Sequence, residues 1–138
     1  TSEDLIVMLI FGSIAMAVLL GLFKEFYFIA FDEEVAQVSG LKVKLLNFLL
    51  VTIVAVIIAL SIRVVGTLLI GALMVIPTIS ALRYRLGFSK TILLSLLFSI
   101  SAVLVGMTLS YNYSLPSGAT IVLVILVIFV ISIFANRK

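Results

Sequence analysis

Two residue types that dominate metal and redox sites are missing from this sequence, which has no histidine and no cysteine. Without cysteine the chain cannot form a disulfide framework or supply a thiolate ligand. Without histidine it cannot supply an imidazole ligand. These absences exclude the side chains on which most protein sites for zinc and similar ions are built.

Charged residues are also scarce, at 11% of 138 residues, whereas 64% are hydrophobic. Soluble domains of this size are roughly 45–50% apolar and about 25% charged. The composition therefore predicts an integral membrane protein. A nucleic-acid partner is not expected from the net charge of +3, because the basic residues stand at the ends of the apolar stretches.

Five apolar stretches are long enough to cross a bilayer as helices, which takes about 17–25 residues. None has an ionisable residue in its interior. We therefore predict an all-α integral membrane protein, a polytopic bundle of about five transmembrane helices in a single transmembrane domain. The predicted spans are residues 5–23, 45–62, 64–82, 91–111 and 119–135.

The basic residues indicate the direction of insertion. Eight of the nine fall on one side of the predicted spans, and the positive-inside rule places that side in the cytoplasm. We therefore predict a multi-pass protein of the inner or plasma membrane, with its N-terminus outside and its C-terminus in the cytoplasm. Arg63 is the exception, and a boundary position at the external surface is its simpler interpretation. The eight are Lys24, Lys42, Lys44, Arg83, Arg85, Lys90, Arg137 and Lys138.

Small residues recur along one face of three predicted spans. Because small side chains let helix backbones approach in lipid, these stripes indicate helix packing. The last span is almost purely Val, Ile, Leu and Phe between residues 121 and 131, so we expect it at the periphery, facing lipid. The stripes are Ser13, Ala17 and Gly21, then Thr52, Ala55 and Ala59, then Ser95, Ser99, Ala102, Gly106 and Ser110.

The third predicted span contains glycines and a proline. Pro77 lacks an amide donor and would clash with the carbonyl of Leu73 in a straight helix, which predicts a span broken near Pro77. Discontinuous helices recur near transport pathways, although a simple proline kink is an equal alternative. The candidate residues for a translocation pathway are Arg63, Gly66, Gly71, Pro77, Thr78 and Ser80.

A polar segment, DEEVAQVSG at positions 32–40, separates the first two spans. As a helix it would reach only about 13 Å, too short for a bilayer, so we expect it at the cytoplasmic face. Asp32 can cap the helix, Glu33 and Glu34 suit its positive end, and Gly40 can close it. On composition alone, an ordinary solvated connector is the alternative.

Three blocks, taken in order, resemble the permeases of metal-ion ABC transporters. Positions 31–41 (FDEEVAQVSGL) look like the cytoplasmic coupling segment of that family. Positions 63–69 (RVVGTLL) and 72–77 (ALMVIP) look like its second block, and 115–122 (LPSGATIV) like its third. Thr78 rather than histidine follows Pro77, which favours the metal-ion branch over siderophore and cobalamin importers.

The resemblance implies the C-terminal half of a longer permease, in an ATP-binding-cassette importer that moves zinc, manganese or iron into the cell. It implies a cytoplasmic ATP-binding subunit, an extracytoplasmic metal-binding protein and a second permease copy (homodimer) as partners within the lipid bilayer. ATP would be used by the partner subunit, and no cofactor is expected on this chain, which has no glycine-rich phosphate loop.

The same resemblance implies roles for residues of the coupling segment. The apolar contact with the ATPase would come from Val35, Ala36 and Val38, and Glu33 and Glu34 would pair with basic residues of the partner. The residues implied in ATPase coupling are Asp32, Glu33, Glu34, Val35, Ala36, Val38 and Gly40.

No residue of this chain is predicted as a metal ligand. All six acids lie outside the apolar stretches, so strong ligands for a transported ion would come from the missing half or from the binding protein. The same absences leave an intramembrane enzyme poorly supported, whereas a structural or assembly membrane protein without a pathway stays open. The weak ligand candidates are Met74, Met107, Thr78, Ser80 and Asn112.

Overall fold

The computed structural model describes residues 2–135, and these residues form helices with short connections. Arg137 and Lys138, two of the basic residues behind the predicted orientation, lie outside the described residues. Contacts divide the chain into two compact units, Thr1–Val64 and Val65–Lys138. The helices are α1 (Ser2–Gly21), α2 (Phe23–Phe31), α3 (Glu33–Val38), α4 (Val43–Val65), α5 (Thr67–Leu82), α6 (Phe88–Tyr113) and α7 (Ser117–Ala135).

Four of these helices, α1, α4, α6 and α7, are long and apolar enough to cross a membrane. They contain 20, 23, 26 and 19 residues, or about 28–39 Å at the rise of an α-helix. The hydrocarbon core to be crossed is about 30 Å thick. α5 is also apolar but has only 16 residues. The prediction of an all-helical membrane bundle with about five spans is therefore confirmed, with α5 as the short member.

The first unit contains α1–α4. Only Leu22 separates α1 from α2, and the hydrogen bonding continues through it: its N–H bonds to the Val18 carbonyl, and its carbonyl accepts from the Phe26 N–H, both at 3.0 Å. The first predicted span ends at residue 23, and no helix was predicted between it and the polar segment at 32–40, so α2 was missed. Ala15 is the one buried residue of α1, and an apolar cavity of about 140 Å³ lies between α1 and α4.

The second unit is built around α7, which packs against both α5 and α6. Ile121 and Ile125 of α7 are buried, and so are three members of the predicted stripe on α6, Ala102, Gly106 and Ser110. The sequence did not predict this packed face, but α7 also keeps exposed apolar side chains, among them Leu123, Val127 and Ile131, so its place at the edge of the bundle stays a prediction. An apolar helix surface packs as readily against protein as against lipid, and composition alone does not distinguish the two.

The break predicted near Pro77 does not occur. α5 runs without interruption from Thr67 to Leu82, with Pro77 inside it. Pro77 is fully buried, so the helix continues through a packed residue that costs it one hydrogen bond. The interruption lies instead at Gly66, between α4 and α5, where φ is +88°. Glycine adopts this left-handed backbone without the steric cost of a side chain.

Candidate coupling segment and pathway residues

The start of α3 is capped as predicted. Asp32 has an extended backbone, and its carboxylate accepts a hydrogen bond from the Val35 N–H at 3.0 Å. This bond satisfies one of the amide donors that a helix leaves free at its first turn. Glu33 and Glu34 occupy that turn, where the helix dipole favours negative charge.

The end of α3 is closed by a glycine turn. Gly40 has φ +89°, the Leu41 N–H bonds to the Ala36 carbonyl, and the Gly40 N–H bonds to the Gln37 carbonyl, both at 3.2 Å. Together these bonds form a Schellman motif. Gly40 therefore ends the helix as predicted, and positions 39–42 are all that connects α3 to α4.

The two sides of α3 differ in exposure. Val38 is 90% exposed and Val35 is 48% exposed, whereas Ala36 is fully buried. The expectation that Ala36 supplies part of a partner contact is therefore wrong, because this side of the short helix packs on its own chain. Val35 and Val38 form the outward apolar surface of α3.

The two glutamates of α3 have different surroundings. The Oε1 atom of Glu33 accepts a hydrogen bond from Nδ2 of Asn47 in α4, at 3.4 Å. Glu34 is exposed. A basic residue of a partner would therefore pair with Glu34 without displacing this hydrogen bond, whereas Glu33 already accepts it from Asn47.

Two of the pathway candidates precede α5. Arg63 lies in the last turn of α4, and its side chain is exposed. Gly66 is exposed at the interruption between the helices. The position of Arg63 agrees with the sequence-based expectation of a boundary at the end of a span, whereas Gly66, predicted inside the third span, lies just before α5.

The four candidates in α5 fall into two environments. Gly71 and Thr78 are exposed, whereas Pro77 and Ser80 are fully buried. Pro77 and Ser80 therefore present no side-chain surface to a passing ion. The Thr78 hydroxyl donates to the Met74 carbonyl at 3.1 Å and lies 3.2 Å from the Ser95 hydroxyl of α6. Thr78 is thus the polar side chain of this set that is both exposed and held in place.

Ser80 instead takes part in the contact between α5 and α7. Its carbonyl accepts a hydrogen bond from the Ser132 hydroxyl at 3.0 Å. In a continuing α-helix that carbonyl would accept from the Tyr84 N–H, but Tyr84 bonds to the Ala81 carbonyl at 3.1 Å in a tighter turn. Ser132 therefore satisfies a carbonyl that the end of the helix leaves free.

Three residues in these contacts were missed by the sequence analysis. Ser132 is the one polar side chain between positions 121 and 135, a signal that could have found it. Asn47 is likewise the one amide within the apolar run of α4. Phe129, whose ring centroid lies 5.4 Å from the guanidinium carbon of Arg83, carries no such signal, because it is one of many apolar residues.

A metal ion, if transported, finds no strong ligand set in the described part of the chain. Among residues 2–135, no three histidine, cysteine, aspartate or glutamate side chains come together as a group that could hold a metal. Met74 and Met107 are exposed, but their soft thioethers do not suit manganese, which prefers carboxylate, carbonyl and water ligands.

Residues 1–136 match the family described as "ABC 3 transport family". The chain belongs to this family. The earlier resemblance to metal-ion ABC permeases is thereby confirmed, and the long apolar helices agree with the prediction of a multi-pass membrane protein.

Relatives within the ABC 3 family are named for several metals. The chain is 31% identical to a probable iron transport system membrane protein of Haemophilus influenzae, covering 98% of this chain and 50% of the relative. It is 30% identical to the manganese transport system membrane protein MntC of Listeria monocytogenes, covering 99% and 49%. It is 31% identical to the high-affinity zinc uptake system membrane protein ZnuB of Haemophilus influenzae, covering 78% and 41%.

A solved structure agrees with these sequence matches. The fold matches a chain of PsaBC from Streptococcus pneumoniae in complex with Fab, with a TM-score of 0.89 and 27% identity, covering 100% of this chain and 50% of that one. This ABC 3 chain thus spans about half the length of the curated relatives it matches, which is consistent with the predicted C-terminal half of a permease.

Proposed function

We propose that the chain is part of the permease of an ATP-binding-cassette importer that moves a divalent metal ion into the cell. The observation that carries this proposal is the match of residues 1–136 to the ABC 3 transport family. Its relatives are named for iron, manganese and zinc, so the proposal is for this class of ions. A structural or assembly protein without a pathway has no comparable support.

In this proposal α3 is the contact for a cytoplasmic ATP-binding subunit, and that subunit hydrolyses the ATP. The support is the place of α3 in the chain, between two helices long enough to cross a membrane, together with its exposed Val35, Glu34 and Val38. An extracytoplasmic metal-binding protein would deliver the ion at the opposite face. A second permease copy would complete the assembly.

The pathway candidates that keep exposed surface are Arg63, Gly66, Gly71 and Thr78. Hydroxyl and backbone oxygens are weak partners for zinc or ferrous iron compared with imidazole, thiolate and carboxylate groups. We therefore propose that this chain lines part of the pathway and takes part in its conformational change. Strong metal coordination would come from the rest of the permease or from the binding protein.

Metal uptake tests the proposal directly. A strain that lacks the full-length gene should take up less of one of the three metals when that metal limits growth, because the membrane route into the cell is gone. The measurement is uptake of radioactive manganese, zinc and iron, each supplied separately. Complementation with the gene should restore uptake, and an empty vector should not. Unchanged uptake of all three metals would contradict the proposal.

Cysteine labelling tests the proposed orientation. Single cysteines replacing Ser2 or Ser117 in the full-length permease should react with a membrane-impermeant maleimide added from outside, and one replacing Gln37 should not. All three positions are exposed, so access depends on the side of the membrane and not on burial. Permeabilised cells are the control, in which the cysteine at position 37 should also react. External labelling at position 37 would reverse the orientation.

A further inference from the structure

We infer that Asn47 is a positioning residue for the coupling contact, because it ties α3 to the first turns of α4 so that the two helices move together. The inference rests on the proposed function, since the position of α3 affects transport only if a partner pushes on it. Its first basis is the hydrogen bond from Nδ2 of Asn47 to Oε1 of Glu33, at 3.4 Å between residues 14 positions apart.

The buried residues of α3 and α4 lie on the same faces as this bond. Val43 and Leu46 are 4% and 8% exposed and are the buried residues of α4. They share a face with Asn47 through the i, i+3 and i+4 spacing of a helix. On α3, Glu33 shares a face with Ala36, the buried residue of that helix. The polar bond therefore joins the faces of the two helices that carry their buried residues.

The bond and the glycine turn hold opposite ends of α3. The turn at Gly40 fixes the C-terminal end, and the Val43 N–H continues the connection by bonding to the Leu41 carbonyl at 2.9 Å. Glu33 is the first residue of α3, about 9 Å away at the other end of the six-residue helix. α2 also adjoins this end, since only Asp32 separates it from α3, but the bond from Asn47 is what links this end to α4. With both attachments its direction relative to α4 is set.

The outward surface of α3 and its tie to α4 then have separate roles. Val35 and Val38 face outward and do not take part in the tie, so loss of the tie leaves the docking surface intact. Asp32 still caps the helix, so α3 still forms. A permease without the tie should therefore bind its ATP-binding subunit normally, but move fewer ions for each ATP that is hydrolysed.

The test uses the full-length permease with its ATP-binding subunit in proteoliposomes, and compares binding of the subunit with the number of metal ions transported per ATP. Asn47→Ala removes the donor, and Asn47→Asp sets two carboxylates against each other. Both should keep subunit binding and lower the ratio several-fold, Asn47→Asp more. Adding Glu33→Gln to Asn47→Asp supplies an amide donor facing the new carboxylate and should restore the ratio. Leu45→Ala, at a site on α4 that is 62% exposed, is the matched control.

The outcomes separate this inference from the proposed function. A wild-type ratio in Asn47→Asp overturns the inference, and so does a loss of subunit binding in Asn47→Ala, which would mean that Asn47 merely maintains the fold. Failure of Glu33→Gln to restore the ratio overturns the pairing. Val38→Asp is run in parallel: if it also leaves binding and transport unchanged, then α3 is not the coupling contact, and that part of the proposed function fails with the inference.

Discussion

Replacing Gly106 by alanine should lower the stability of the folded permease in detergent and its yield in the membrane. A Cβ atom at this position would lie 2.6 Å from Cγ1 of Ile121 and 2.7 Å from its Cα. The second contact is with backbone, so α7 itself would have to move away from α6. Added methyl groups in a packed interior typically cost about 1–3 kcal/mol, and we expect a loss in this range.

Thermal unfolding of the purified full-length permease measures this effect. Gly12→Ala is the matched control, because Gly12 is also inside a helix and nothing lies within 4 Å of the Cβ that it would gain. That variant should be neutral or slightly stabilised, since alanine favours a helix over glycine by up to about 1 kcal/mol. Equal melting temperatures for Gly106→Ala and the wild type would contradict the close contact of α6 with α7.

Replacing Val38 by aspartate should abolish transport while the permease stays folded. The side chain is 90% exposed, so the fold gains no buried charge. When the ATP-binding subunit covers this surface, the carboxylate loses its water without gaining a partner, which costs several kcal/mol. We expect affinity for the subunit to fall at least about tenfold, the effect of losing a central contact residue.

Pull-down of the cognate subunit by the full-length permease measures this loss, and uptake of metal is followed in the same strains. Val38→Ile keeps the apolar surface and should bind and transport as the wild type does. Normal binding by Val38→Asp would mean that α3 is a connector between spans, the alternative that composition leaves open.

Some elements could be predicted from the sequence because their causes are local. A membrane span must be apolar over a fixed length, so four spans were placed correctly and the fifth, α5, was found at nearly its true bounds. The caps of α3 were predicted for the same reason: Asp32 and Gly40 act on residues only a few positions away. Interactions of this kind can be predicted because the residues that make them are close together in the sequence.

Other features depend on residues distant in the chain and could not be predicted. Pro77 costs α5 one hydrogen bond, but the packing that keeps the helix continuous comes from elsewhere. Which face of α7 is packed depends on what α5 and α6 present to it, and not on its own composition. The bond from Ser132 to the Ser80 carbonyl spans 52 positions. Predicting it would require the arrangement of the helices first.

The length of α5 has a consequence for the membrane around the protein. Its 16 residues extend over about 24 Å, which leaves it about 6 Å short of an average hydrocarbon core. Each ångström of mismatch costs a fraction of a kcal/mol, and the left-handed backbone at Gly66 cannot be left facing acyl chains. The bilayer beside α5 must therefore become locally thinner, or other protein must cover the end of this helix. Where lipid and not protein borders this end of α5, local bilayer thickness contributes to the free energy of the unit's conformation.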